Sequence, residues 1–165
     1  MLRRLSLLAG MILMVSLSAH AQDGVELFGG YSYLRADNSP SFNTNGWEFS
    51  GTYKFSDWLG GVADFAGHYA SPGGVSLSLH TFMFGPQISW PARVSPFAHV
   101  LLGGAHVSGG GASDSSFATA IGGGIDSKLV AGVYWRVIEG DYVATHFGGH
   151  VQNNGSLSTG IVFRF

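Results

Sequence analysis

The sequence predicts an all-β fold, an eight-stranded antiparallel up-and-down transmembrane β-barrel preceded by a cleavable signal peptide. Three observations predict it: period-two alternation in segment after segment, a composition short of charge, and connections that alternate between short and long. Of the 165 residues only 11% are charged, while 13% are aromatic and 26 are glycine. A soluble globule carries about a quarter charged residues, so something other than water is expected to solvate much of this surface. The length favours one domain with a single core.

Residues 1–21 read as the signal peptide: Arg3 and Arg4 form the positive region, Leu5 to Leu17 the apolar region, and Ala19-His20-Ala21 a small-x-small cleavage site. The mature barrel domain is then expected to span 22–165, beginning at Gln22. Cysteine is absent, which excludes lipoprotein anchoring, disulfides, thiolate metal sites and cysteine nucleophiles. Removing Arg3 and Arg4 leaves six basic against ten acidic residues and no basic stripe, so no nucleic-acid partner is expected. Past the N-terminus no apolar run approaches the roughly 18 residues that a membrane-spanning helix needs.

Strand periodicity is clearest from Trp47 to Phe55, where odd positions are aromatic or glycine, Thr52 and Ser50 are polar, and Glu48 and Lys54 are charged. One face of such a strand meets lipid and the other a wet lumen. Ser56-Asp57 makes a turn, after which Leu59, Gly61, Ala63, Phe65, Gly67 and Tyr69 continue one face opposite Asp64 and His68. Similar segments run from Val25 to Leu34, Val75 to Ile88, Phe97 to Val107, Phe117 to Asp126, Val130 to Phe147 and Leu157 to Phe165. Short connections are expected at Ser56-Asp57-Trp58, Trp90 to Val94 and Ser127-Lys128-Leu129. Long polar ones are expected at Ala36 to Asn45, Ala70 to Gly74, Ser108 to Ser116 and Gly148 to Gly155. Phe82 and Phe84 share parity with His80, so either a bulge near Thr81 shifts the register or two rings point inward; the bulge is the preferred reading.

Several strings, taken in order, carry a family likeness: Val25-Glu26-Leu27-Phe28-Gly29-Gly30-Tyr31-Ser32-Tyr33, Gly85-Pro86, Gly122-Gly123-Gly124-Ile125-Asp126, Asp141-Tyr142, and Ser158 to Phe165. Together the chain resembles the OmpA-like outer membrane β-barrel family in its short, barrel-only form. That resemblance implies residence in the cell outer membrane among its lipids. It also implies insertion by the barrel-assembly machinery through a C-terminal aromatic signal, here Phe163 and Phe165. Longer relatives continue into a peptidoglycan-binding domain; with the chain ending at Phe165, cell-wall anchoring is not expected.

Candidate chemistry is sparse. Glycines spaced like GxGxxG cradle phosphate only where they open a helix, and here alternation runs past them. His146 and His150 have a metal-like spacing only on a helix, not on a strand followed by a loop. His68, His80, His99 and His106 lie in strands with serines and Asp64 nearby, which keeps a lipid A-modifying enzyme as a minor alternative. Neither a catalytic residue nor a cofactor or metal ligand is assigned.

Glu26, Glu48, Lys54, Asp64, Asp126, Arg136 and Arg164 occupy polar positions and are expected to form a charge network in a lumen about wide enough for side chains. Arg164 should turn inward because Leu157, Thr159, Ile161, Phe163 and Phe165 hold the opposite face, and strand closure should bring it near Glu26. Tyr31, Tyr33, Trp47, Phe55, Trp58, Trp90, Tyr142, Phe163 and Phe165 should form two outward aromatic girdles. The expected function is a non-enzymatic outer membrane barrel with a structural or surface-interaction role, at most a small-solute conductance, and a loop partner that the residues do not specify. A soluble periplasmic lipocalin-like barrel is the competing reading; it requires the rings to point inward.

Overall fold

The computed structural model describes residues 24–36, 42–71, 74, 76–147 and 150–165. The signal peptide expected over 1–21 lies outside the described residues. The strands are β1 (Val25–Ala36), β2 (Phe42–Lys54), β3 (Leu59–Ala70), β4 (Leu77–Ser89), β5 (Val94–Gly109), β6 (Ala112–Val130), β7 (Val133–Phe147) and β8 (His150–Arg164). Each pairs antiparallel with its sequence neighbours, and β1 pairs with β8, so the eight strands close into a barrel as expected. Closure leaves no unpaired sheet edge, which is the condition for strands to cross hydrocarbon.

The alternation fixes what points where. Glu48, Ser50 and Thr52 are buried while Trp47, Phe49 and Tyr53 are exposed, and Ser156, Ser158 and Val162 are buried while Leu157, Ile161 and Phe163 are exposed. Closure is tight at Gly30 and Gly160, which face each other across β1 and β8: a Cβ on Gly30 would meet Thr159 O at 2.2 Å, and one on Gly160 would meet Gly29 O at 2.3 Å.

Four expectations need correction. The register of β4 is continuous through Thr81, with neither a bulge nor inward rings: Thr81 and Met83 are buried, whereas His80, Phe82 and Phe84 all face out. His80 breaks the polar-inside rule because Tyr69 partners it on the outer face, its hydroxyl 3.2 Å from Nε2. Ser127-Lys128-Leu129 is strand, and the turn falls at Ala131-Gly132, where Gly132 has φ 74°.

The stretch from Ser108 to Ser116 is not an open loop. Its strands pair out to Gly109 and Ala112, joined by Gly110-Gly111 with φ 61° and 85°, the doubly positive geometry that a two-residue hairpin turn needs and that a glycine pair supplies without strain. Much of the predicted loop from Gly148 to Gly155 likewise belongs to β8, since pairing with β7 begins at Phe147 and His150.

A real bulge lies in β7. Arg136 pairs with Gly160 but Glu139 with Ser158, so Val137 and Ile138 both face out and the parity of the strand flips. The flip turns Glu139, Asp141, Val143 and Thr145 toward the lumen, where strict alternation from Arg136 would have sent them outward.

Candidate functional site in the barrel lumen

The described lumen is built in layers, taken here from the end carrying the short turns and the two ends of the barrel. A cavity of about 1060 Å³ opens at that end, lined among others by Glu26, Lys54, Arg93, Lys128, Tyr134 and Arg164. From its floor a chain of ion pairs runs inward. Lys54 Nζ lies 3.3 Å from Glu26 Oε1 and also donates to Ser89 Oγ. Arg164 Nε is 2.9 Å from the same Glu26 oxygen, a charge contact whose angle falls short of a hydrogen bond, while its Nη2 donates to Asp126 Oδ2 at 2.9 Å. Asp126 Oδ1 accepts from Arg136 Nε at 2.9 Å, and Arg136 Nη1 donates to Glu139 Oε2 at 2.9 Å.

Arg136 is held by more than charge. Its guanidinium sits 4.3 Å from the ring centroid of Phe28 and 4.2 Å from that of Phe97, and Arg164 lies 3.9 Å from the ring of Tyr134. Phe28 and Phe97 are therefore inward rings with a reason: a planar cation taken out of water recovers roughly 2 kcal/mol or more from desolvated aromatic faces. Removing a charge from water is otherwise expensive unless hydrogen bonds and opposite charge satisfy it, and the alternating acid–base order of this layer supplies both.

Deeper still, the balance changes. His99 Nε2 lies 2.8 Å from Asp141 Oδ1, Asp141 Oδ2 accepts from Ser156 Oγ at 3.4 Å, and His99 Nδ1 stands 3.7 Å from Glu139 Oε1. Ser158 Oγ donates to Glu48 Oε2 at 2.5 Å and also contacts Ser32 Oγ, which is 3.0 Å from His68 Nε2. Glu48, Asp64, His99 and Asp141 line one side of a small internal cavity of about 20 Å³, room for about one water. Its other walls include Leu34, Ala66, Met83, Leu101, Ala120 and Val143, the last four belonging to an apolar cluster that continues through Ala105 and Ala118.

Glu26, Glu48, Asp64, Asp126 and Arg136 are buried, Lys54 and Arg164 are half-buried, and Arg164 contacts Glu26. Glu139 and Asp141 were not foreseen, because no period-two count reaches them across the bulge; the one signal in the sequence is the apolar doublet Val137-Ile138 between charged residues. The four strand histidines weighed for the enzymatic alternative are divided, with His68 and His99 inside and His80 and His106 outside. His106 Nδ1 does lie 2.7 Å from Ser115 Oγ on the outer face, but Asp64 is in the lumen and orients neither of them. His146 and His150 sit on different strands, and the Gly122-Gly123-Gly124 run is strand rather than a helix-opening turn.

On the outer surface, Tyr31, Trp47, Phe55, Trp58, Trp90, Tyr142 and Phe163 are exposed. Rings are not confined to two girdles: Phe49, Phe65, Phe82 and Phe84 occupy the middle of their strands, and Phe65 and Phe82 touch at 4.6 Å between centroids. Among the described strand residues, Arg35 at the loop-side end of β1 is the one charged side chain on an outward position of the alternation.

No family model and no curated protein matches the sequence. Solved structures do match in shape. Neisserial surface protein A superposes with a TM-score of 0.69 at 17% identity, covering 88% of this chain and all of its own. Ail, the attachment invasion locus protein of Yersinia pestis, gives 0.62 at 19% identity, covering 87% of this chain and 100% of that one. The N-terminal β-barrel domain of Pseudomonas aeruginosa OprF gives 0.55 at 14% identity, with 88% and 100% coverage.

The fold is that of the small OmpA-like outer-membrane barrels. The superpositions take in the whole of each neighbour despite identities under 20%, as expected where inside–outside patterning rather than particular residues specifies the architecture.

Proposed function

We propose that the protein is a non-enzymatic outer membrane barrel with a structural or surface-interaction role, its loops presented outside the cell and its lumen closed by side chains. The sidedness of the wall carries this reading. A lysine or arginine facing lipid at mid-depth costs about 2–4 kcal/mol, and this barrel sends its strand charges inward, with Arg35 at the strand end as the exception among the described residues. A lipocalin-like barrel requires the opposite, a roomy apolar cavity inside; here the internal cavity among the described lumen residues holds about 20 Å³, and Glu48, Asp64, His68, His99 and Asp141 are among its walls.

Outer-membrane lipids would then cover the exposed rings, and Phe163 and Phe165 would present the aromatic end to the barrel-assembly machinery. The backbone supports a role for this end in closure, since Phe165 N donates to Val25 O and Gly24 N donates to Phe165 O, both at about 3 Å. Membrane fractionation with heat-dependent migration in a detergent gel tests the reading. The folded, faster band should be found in the outer-membrane fraction and diminish in Phe165→Ala, whereas a soluble periplasmic protein would overturn it. The Ser115–His106 pair is the observation that favours the enzymatic alternative; hydrolysis of purified lipid A that disappears in His106→Ala would establish it.

A further inference from the structure

The acid-rich layer in the middle of the lumen has a geometry that its own hydrogen bonds do not explain. His99 is buried, and the Asp141 carboxylate at 2.8 Å from Nε2 holds the proton on that nitrogen. Nδ1, the other ring nitrogen, has no hydrogen-bond partner. It is aimed at Glu139 Oε1, 3.7 Å away, too far for a direct hydrogen bond. Glu139 cannot turn freely to shorten that gap, because Arg136 fixes its other oxygen at 2.9 Å. Glu48, one of whose carboxylate oxygens is fixed by Ser158, lines the small cavity beside His99. Asp64 lines the same small cavity. An unpartnered, buried imidazole nitrogen thus stands among carboxylates that outnumber the cations beside them, and one ligand atom from each of His99, Glu139 and Asp141 lies within 4.8 Å of the others.

We propose that this layer binds one divalent transition-metal ion of the Zn²⁺ type, ligated by His99 Nδ1 and Glu139. Asp141 is a positioning residue, holding the imidazole tautomer through Nε2 in the carboxylate–histidine–metal arrangement that commonly supports such ligands. With Zn–N and Zn–O bonds each about 2.1 Å long, the 3.7 Å gap corresponds to an angle of roughly 125° at the metal, within reach of a distorted tetrahedron. One imidazole with carboxylates and no thiolate selects an ion of borderline character over Ca²⁺ or Mg²⁺, which prefer all-oxygen shells. Water in the adjoining cavity completes the coordination.

The test uses the full chain expressed and purified from membranes, unfolded in urea with EDTA and refolded in detergent with Zn²⁺ or Co²⁺. Expected are one Zn²⁺ per folded barrel surviving gel filtration, and visible absorption of tetrahedral type from bound Co²⁺. His99→Gln should fold, by heat-dependent gel migration, yet lose the ion; Asp141→Asn should bind about 10–100-fold more weakly. His106→Gln, a change on the outer face, should bind as the parent does. If His99→Gln does not fold, the parent alone decides: a stoichiometric Co²⁺ spectrum with imidazole-type intensity supports the site, and no uptake by the folded parent overturns it. Equal uptake by parent and His99→Gln also overturns it.

Discussion

The two charged layers of the lumen draw on the same side chains and solve burial differently. At the turn end Lys54, Arg164 and Arg136 interleave with Glu26 and Asp126, so that each carboxylate touches at least one cation and the two arginines also lie on aromatic rings. In the middle, Glu48, Asp64, Glu139 and Asp141 surround His99 with Arg136 at their border, and Ser156 and Ser158 stand where cations would be expected. The difference teaches that order matters more than number: an alternating chain satisfies its own fields inside a narrow barrel, whereas a cluster of one sign needs a proton or a foreign cation.

Arg136→Met breaks the comparison most severely. It leaves Asp126 and Glu139 buried without their shared guanidinium, and urea titration of the barrel in lipid vesicles should show a loss of about 3–5 kcal/mol. A loss below about 1 kcal/mol would mean that the turn-end layer is not held by ion pairing. Asp126→Asn comes next, removing the acceptor that both arginines share, with an expected cost of about 2–3 kcal/mol in the same titration. Arg164→Gln should cost only about 1 kcal/mol or less, because that side chain borders the open vestibule and water can replace part of its contact.

The smallest effect has the informative sign. Glu48→Gln, refolded in EDTA, should leave stability unchanged or raise it by up to about 1 kcal/mol, since it removes a like charge from the acid layer while keeping an acceptor for Ser158. A cost equal to that of Asp126→Asn would erase the distinction between the two layers.

Where the chain alternates without interruption, the residues are legible one by one. Glu26, Glu48, Lys54, Asp64, Asp126, Arg136 and Arg164 all stand where parity sends them, and the proximity of Arg164 to Glu26 follows once an even strand number closes β8 onto β1. His80 was misread because one polar side chain carries no statement of its partner: Tyr69, on another strand, makes the outer face acceptable to it. Glu139 and Asp141 were out of reach because a single inserted residue inverts every side chain beyond it.

By itself, the sequence determined the all-β class, the strand number and the face of the charged residues that uninterrupted alternation reaches, since successive side chains of a strand are sent to opposite faces of the sheet. Only the tertiary structure decided the bulge at Val137-Ile138, the hairpin turns at Gly110-Gly111 and Ala131-Gly132, and the meeting of His99 from β5 with Glu139 and Asp141 from β7. Those are properties of register between strands, set by closure and shear of the whole barrel, and no single strand carries them.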